Sequence, residues 1–321
     1  MNPSLVSVII PTYNRVRFLR RAVESVLSQD YPGKEVVVVD DASTDETEKE
    51  IAPWARAQGV VWVRHESNRG ESAARNTGIR ASRGDYLVFL DSDDYFLPGR
   101  LSSHVAMLDG RPDLVWVYSD HWMYKDGQLQ PPTFSVRSYR PEGNVFEPQL
   151  LETNGFQLPI MTMTLRRSVV EEVGGFDESI FCAQDLDFRL RIARRYPIAY
   201  IPNADCVWVE HDARSKHTRH NRMESWLRVV DRHIAFLDVS GDNREEVRRK
   251  VKALRRRVLD IPHEEAHMHL VAGRMEEARG RLRQAMRIRP FRLKNYAYFL
   301  FTFLPPSVYA AARRLKRALR P

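Results

Sequence analysis

The sequence predicts an α/β protein in which a mostly parallel sheet carries helices on both faces and is followed by a C-terminal helical region. Over residues 1–118, short apolar runs rich in β-branched and aromatic residues alternate with amphipathic segments. Such alternation is typical of parallel strands joined by crossover helices. Over residues 226–321 the pattern changes to charged segments with helical apolar spacing. We therefore expect a sheet domain over residues 1–225 and a basic α-helical region over residues 226–321.

The elements of the sheet domain follow one another at short intervals. Apolar spacing of three and four residues predicts helices over residues 15–29 and 70–81, and Pro98 suits the first turn of another. Ser43 or Thr44 is placed to cap a helix that begins near residue 45. Short apolar runs predict strands at residues 5–10, 35–39, 60–64, 86–90 and 114–118. The runs at 35–39 and 86–90 are typical of strands buried on both faces of a parallel sheet. Residues 120–158 contain four prolines and predict a long irregular segment.

The C-terminal region reads as a series of helices. One apolar stripe recurs at three- and four-residue steps over residues 243–260, and residues 263–290 resemble a single hairpin of the tetratricopeptide type. Residues 291–321 combine aromatic and aliphatic side chains with a basic group. That composition suits the surface of an anionic membrane, and it also suits a segment that packs on the catalytic domain. Both interpretations remain open at this point.

Charge is distributed unevenly along the chain. Residues 226–321 carry 23 Lys and Arg against 10 Asp and Glu, whereas residues 1–225 carry 27 against 32. Two cysteines are too few for a disulfide framework, and neither a signal peptide nor a run of ~20 apolar residues is recognisable. We therefore expect a cytoplasmic protein with reduced thiols, peripheral at the inner membrane face if the tail binds there, and no nucleic-acid partner.

Acidic clusters follow two of the predicted strands. Asp40 and Asp41 end the strand at residues 35–39, and Asp91, Asp93 and Asp94 follow the strand at residues 86–90. Ligands of open α/β sheets bind beyond the carboxyl ends of the strands, so both clusters should lie over one edge. Carboxylates gathered there repel one another unless a cation lies between them. A divalent metal that holds a diphosphate meets that need.

Five motifs, in order, resemble those of family 2 glycosyltransferases and cover about residues 4–215. They are VSVIIPTYNR at 6–15, VDDASTD at 39–45, AARNTG at 73–78, DSDD at 91–94, and GFDE at 175–178 with QDLD at 184–187. The resemblance implies a Rossmann-like GT-A fold, a nucleotide-diphosphate sugar donor with UDP favoured, Mg²⁺ or Mn²⁺, and inversion at the anomeric carbon. It also implies a glycan or lipid-linked acceptor, because many members of the family build cell-envelope polysaccharides.

The resemblance also assigns roles to individual residues. Asp41 reads the base with Asp40 as an alternative contact or support, and Arg75 contacts the base or a phosphate. Asp91 lies toward the ribose or behind the metal ligands, and Asp93 binds the metal with His211 nearby. The other nucleotide-sugar-binding positions are Pro11, Thr12, Tyr13, Asn14, Arg15 and Ser92.

Asp185 matches the family's general base, which must reach the proton of the incoming hydroxyl. The family usually carries Glu-Asp at this motif, whereas this chain has Gln184-Asp185. The aspartate that matches the base is intact, and Gln184 departs from the family pattern at the flanking position.

Two other functions fit a nucleotide site over an α/β sheet. A nucleotidyltransferase would need a glycine-rich phosphate loop after the first strand, and residues 11–15 contain no glycine. A non-catalytic binding module would be favoured by the loss of Asp93 or Asp185, and both are present. The sugar and the acceptor have no recognisable signature.

Overall fold

The computed structural model describes residues 3–134, 140–151, 158–211, 222–237 and 244–309. The chain divides into two compact units, residues 1–219 and 220–321. The first contains the sheet, and the second is helical in its described part.

One sheet organises the first unit. Among the described residues its strands are β1 (Val6–Thr12), β2 (Lys34–Asp40), β3 (Val61–Arg64), β4 (Tyr86–Phe89), β5 (Tyr95–Phe96), β6 (Trp116–Lys125), β7 (Gln128–Gln130), β8 (Met163–Arg166) and β9 (Ala199–Val209). The strand order is β3-β2-β1-β4-β8-β6-β9-β5, with β7 paired to β6.

Parallel pairing brings the ends of the first strands to one edge. β1 pairs in parallel with β2 and β4, so Thr12 lies opposite Asp40 and Ile9 opposite Phe89. β2 pairs in parallel with β3, and β6 with β9. β8 is inserted antiparallel between β4 and β6. The predicted mostly parallel α/β sheet is confirmed, and the acidic clusters after β2 and β4 leave the same edge.

Helices of the first unit cover this sheet. Gly78 lies where a helix presses on β1, because a Cβ at that position would overlap the side chain of Ile9. A π-helical turn, Thr47–Ile51, precedes the second helix. The helices are α1 (Val16–Leu27), α2 (Ala52–Ala57), α3 (Glu71–Ala81), α4 (Arg100–Gly110), α5 (Phe146–Leu151), α6 (Arg167–Val173) and α7 (Gln184–Ala193).

The prediction of an irregular segment from residue 120 was wrong at its start. β6 continues to Lys125 and turns into β7, and α5 follows later in the same stretch. β6 carries polar side chains that find partners inside the fold: the buried carboxylate of Asp120 accepts hydrogen bonds from the backbone N–H groups of His121 and Phe134. Residues 135–139 and 152–157 lie outside the described part.

The second unit is built from amphipathic helices. Leu270 of α10 and Leu282 of α11 share an apolar core with two alanines and Tyr309. In the described part of the chain, no helix is both long and apolar enough to cross a membrane. The helices are α8 (Arg222–Ile234), α9 (Arg244–Leu259), α10 (Ile261–Val271), α11 (Met275–Ile288) and α12 (Leu293–Phe301).

Candidate active site

Three carboxylates gather in the turn after β4. Oxygen atoms of Asp91, Asp93 and Asp94 lie within 4.8 Å of one another. The turn is closed by a hydrogen bond from the Asp94 backbone N–H to the Asp91 carbonyl oxygen, 3.0 Å long. Asp94 Oδ1 accepts a bond of 2.8 Å from the N–H of Val209, the last residue of β9. The side chain of Asp94 therefore ties the turn after β4 to the end of β9.

His211 reaches the acidic turn from the end of β9. Its Nε2 lies 2.9 Å from Asp93 Oδ2, and its ring stacks on Phe18 with centroids 4.3 Å apart. The other ring nitrogen, Nδ1, is buried and has no hydrogen-bond partner among the described residues. Arg15 Nε is 3.6 Å from the same Asp93 oxygen. Carboxylate oxygens are the ligands that Mg²⁺ and Mn²⁺ prefer, so the acidic turn fits a divalent cation.

Arg75 presents unused donors at this edge. Its side chain is only 2% exposed, and Nη2 donates to Asp91 Oδ1 over 2.8 Å. Nε and Nη1 are buried and find no partner in the described part of the chain, and the guanidinium lies over the ring of Phe176 at 5.2 Å. A buried donor without a partner is costly, so a guanidinium held in this way suits an anionic ligand such as a phosphate.

Asp40 and Asp41 hold the loops around the predicted nucleoside pocket. Asp40 is fully buried and accepts hydrogen bonds from the Ser43 N–H (2.9 Å) and from Arg64 Nη1 (2.7 Å). Asp41 Oδ1 accepts from the Arg69 N–H and Oδ2 from the Gly70 N–H, both over 2.8 Å. His65 Nδ1 lies 2.7 Å from Asp41 Oδ1. The structure thus places Asp41 where it shapes residues 65–70, and its contact with a base stays a prediction.

Residues 11–15 form the turn after β1. Asn14 adopts a left-handed backbone with φ of 53°, and its Oδ1 accepts hydrogen bonds from the N–H groups of Thr44 (2.7 Å) and Asp45 (3.2 Å). Thr12 is buried, and its hydroxyl has no partner among the described residues. Pro11 is buried and Tyr13 half-buried. Asn14 therefore joins the β1 and β2 turns, while Thr12 keeps a hydroxyl for a ligand.

Asp185 lies in the first turn of α7. Its Oδ1 accepts from the Leu186 N–H (2.8 Å) and its Oδ2 from Arg189 Nη1 (2.9 Å). Desolvation alone would raise the pKa of Asp185, but the charges of Arg189 and Arg75 and these hydrogen bonds lower it below its usual range. The carboxylate is consequently ionised at neutral pH, as a proton acceptor must be.

Two further side chains lie beside these residues, and of the two Glu71 was not predicted from the sequence. Glu71, in the first turn of α3, accepts from Arg75 Nη2 over 2.6 Å and from Gln184 Nε2 over 2.7 Å. Loss of solvent and the negative charges of nearby aspartates raise the pKa of Glu71, although Arg75 opposes them. Asn76 holds the backbone of Phe176 through both of its amide atoms. The only signal for Glu71 in the sequence was its position four residues before Arg75, which places both on one helix face.

Comparison with known proteins gives the family. Residues 7–174, more than half of the chain, match the sequence model of Glycosyl transferase family 2. The chain belongs to this family. An uncharacterised glycosyltransferase of Rickettsia conorii is 31% identical over 201 residues, which are 63% of this chain and 32% of that protein. The chain thus aligns with about a third of the length of this relative.

A second relative has a more specific name. The UDP-Glc:α-D-GlcNAc-diphosphoundecaprenol β-1,3-glucosyltransferase WfaP of Escherichia coli is 33% identical over 122 residues. The match covers 38% of this family 2 chain and 48% of WfaP.

Solved structures share the fold. S. aureus TarS 1–349 in complex with UDP-GlcNAc superposes with a TM-score of 0.63 at 18% identity, covering 97% of this chain and 92% of that one. The mannosyltransferase PcManGT of Pyrobaculum calidifontis, in complex with GDP-Man and Mn²⁺, gives 0.53 at 21% identity, covering 94% and 86%. The expected GT-A fold is therefore confirmed.

Proposed function

We propose that this family 2 chain transfers a sugar from a nucleotide-diphosphate sugar, UDP-linked by preference, to a hydroxyl of a glycan or lipid-linked acceptor. The observation that carries the proposal is the grouping of Asp91, Asp93, His211 and Arg75 at the end of β4. Together they offer oxygen and nitrogen ligands for a cation and unused donors for a phosphate. The UDP-GlcNAc complex of TarS and the name of WfaP support a UDP donor.

The metal would be held at the acidic turn. Asp93 and His211 are the proposed ligands, with Asp91 and Asp94 close enough to contribute through water. A bound Mg²⁺ or Mn²⁺ supplies positive charge to the departing diphosphate. Arg75 adds a fixed positive charge beside Asp91, with Nε and Nη1 still available. The two cations together would lower the barrier to departure of the nucleotide.

The nucleoside end of the donor is assigned to the edge formed by β1 and β2. Thr12 and Tyr13 would line its pocket, with Pro11, Asn14 and Arg15 forming the turn beneath them. Asp41 would contact the base, and Asp40 would support Asp41 through the hydrogen bond that Asp40 accepts from Arg64. Ser92, buried in the acidic turn, completes the proposed set.

Asp185 is the proposed general base. In a single displacement, the acceptor oxygen forms a bond to the anomeric carbon as the bond to the diphosphate oxygen breaks. The hydroxyl proton passes to the Asp185 carboxylate, and the configuration at the anomeric carbon inverts. The low pKa of Asp185 keeps that carboxylate ready to accept the proton at neutral pH.

A product assay tests the proposal against its rivals. A donor screen by thermal shift with Mn²⁺ comes first, because a ligand at 100-fold its Kd stabilises by ~2.7 kcal/mol. With the donor found and a panel of glycan and prenyl-diphosphate-linked acceptors, a transferase releases the nucleoside diphosphate. A nucleotidyltransferase would release pyrophosphate, and a binding module would release neither. Omission of the metal serves as the control.

We also propose that the second unit binds an anionic membrane surface through α12. Four large apolar residues on and around this helix face solvent: Phe291 is 95% exposed, Leu293 80%, Leu300 67% and Phe303 61%. An exposed apolar set within a region rich in Lys and Arg suits a negatively charged leaflet. The basic group of the predicted tail, Arg313, Arg314, Lys316, Arg317 and Arg320, lies outside the described residues. Such a surface would bring the enzyme to lipid-linked acceptors.

A further inference from the structure

Gln184 and Glu71 form a pair that joins two helix starts. Gln184 is the first residue of α7, and Glu71 is the first residue of α3. Gln184 Nε2 donates a hydrogen bond of 2.7 Å to Glu71 Oε2, between residues 113 positions apart in the chain. The resembled family usually carries a glutamate where this chain has Gln184. Here the carboxylate comes from the opposite helix, and position 184 carries the amide.

This exchange has a simple electrostatic reason. Two carboxylates at a separation of 2.7 Å would repel each other strongly, so a glutamate at position 71 disfavours a glutamate at position 184. Glutamine is neutral, has the size of glutamate, and carries an amide N–H that can donate to the carboxylate. The pair therefore keeps one negative charge at this place and moves it from α7 to α3.

Glu71 is also connected to the proposed donor site. Its other oxygen, Oε1, accepts from Arg75 Nη2 over 2.6 Å, and the same nitrogen donates to Asp91 over 2.8 Å. Gln184 adjoins Asp185 in sequence, so hydrogen bonds run from the acidic turn through Glu71 to the residue beside the proposed base. The Glu71 side chain is 44% exposed, which leaves its carboxylate within reach of a ligand.

We infer that Glu71 supplies the carboxylate that the resembled family carries at position 184, and that it binds a hydroxyl of the acceptor so that the reacting hydroxyl meets Asp185. The ligand is a polyhydroxylated sugar, whose hydroxyls donate well to a charged oxygen. The inference rests on the proposed function. Glu71 lies between Arg75, assigned to the diphosphate, and Gln184, next to the base, which puts it on the acceptor side of the donor.

Four proteins test the pair: the wild type, Glu71→Gln, Gln184→Glu, and the double variant that exchanges both. Loss of one hydrogen bond to a charged group should lower kcat/KM for the acceptor by ~10–100-fold in Glu71→Gln. The kcat/KM of Gln184→Glu should also fall, because two carboxylates then face each other. The double variant should recover to within about threefold of the wild type, since one carboxylate and one amide face each other again. Affinity for UDP with Mn²⁺ should stay within about twofold throughout.

Several results would overturn the inference. Glu71→Gln with wild-type kcat/KM for the acceptor would remove the role of Glu71, and a double variant no better than the weaker single variant would show that the two positions do not exchange. A fall in UDP affinity in Glu71→Gln as large as the fall in kcat/KM for the acceptor would show that Glu71 acts on the donor through Arg75 instead. Glu50→Gln, an exposed glutamate outside the site, is the matched control, and melting temperatures check the fold. If the wild type itself releases no nucleoside diphosphate with any acceptor, the proposed function has failed.

Discussion

Asp93 joins two basic residues at the proposed metal site, because its Oδ2 lies 2.9 Å from His211 Nε2 and 3.6 Å from Arg15 Nε. We expect Asp93→Ala to weaken metal-dependent UDP binding by at least about tenfold, since even residues behind the ligands cost ~10–100-fold in metal affinity. Titration calorimetry with UDP and Mn²⁺ measures this, with the exposed Asp113→Ala as the matched control. Equal affinities for the two variants would show that the metal binds elsewhere.

Asp185 is distinguished by a pKa held low by two arginines, and this predicts a base that stays ionised at neutral pH. Asp185→Asn preserves shape and removes the proton acceptor. We expect transfer to fall by ~10²–10⁴-fold while UDP affinity is kept. Single-turnover transfer and calorimetry separate the two effects, with Asp113→Asn as the control. A variant that transfers at nearly the wild-type rate would mean that another group takes the proton.

A buried polar network holds α4 against the sheet. Arg100 of α4 donates to Asp205 of β9 over 2.8 Å, and His104 Nε2 lies 3.1 Å from the other oxygen of Asp205. His104 Nδ1 lies 2.8 Å from the hydroxyl of Thr164 on β8. Burial and the charge of Arg100 lower the pKa of His104 to about 4, against the opposing pull of Asp205. The network therefore needs a neutral histidine.

This network predicts how stability depends on pH. Between about pH 6.5 and 4 the unfolded state binds a proton at His104 and the folded state does not, so acidification through this window destabilises the fold. The loss is of the order of 3 kcal/mol, at ~1.4 kcal/mol for each unit of pKa. The lowered pKa of Asp205 keeps that carboxylate ionised across the same window, so its own contribution is lost only at still lower pH.

Tryptophan fluorescence can follow the unfolding of the first unit as a function of pH, because five of the six tryptophans lie in that unit. His104→Gln should be less stable at pH 7 and lose the steep decline between pH 6.5 and 4. His267→Gln, in the second unit, is the matched control and should keep the decline. An unchanged slope in His104→Gln would assign the pH dependence to another group.

Sequence patterns predicted the elements that are locally encoded. The apolar runs of β1, β2 and β4 identified a parallel sheet, and the aspartates that end two of them identified its functional edge. The antiparallel insertion of β8 and the length of β6 escaped, because partners distant in the chain define both strands. The bond between Glu71 and Gln184 escaped for the same reason: two polar side chains 113 residues apart leave no periodic pattern.

The apolar face around α12 is exposed, and a membrane, residues 310–321 or a second copy of the chain are its candidate partners. Each large apolar side chain moved out of water contributes about 1.5–3 kcal/mol, and each Lys or Arg near an anionic leaflet adds ~1 kcal/mol. Membrane binding would therefore be stabilised both by the exposed apolar side chains and by the positive charge of this region. Packing by residues 310–321 or by a second copy of the chain would use only the apolar face. Salt separates these cases, because screening weakens attraction to the leaflet and leaves apolar packing intact.

Sedimentation with vesicles decides the matter. The wild-type chain should sediment increasingly as the anionic lipid content rises and less as salt is added. Replacing Phe291, Leu293, Leu300 and Phe303 by serine should lower the partition constant by at least about 100-fold. Serines at Leu129 and Phe181, exposed apolar residues of the first unit, form the matched control and should leave sedimentation unchanged. A wild-type chain that stays in the supernatant at low salt would contradict membrane binding. If such a wild-type chain is a dimer and the four-residue variant is a monomer, a second copy covers this face. If deletion of residues 310–321 increases the exposure of the four apolar side chains, the chain's own tail covers it.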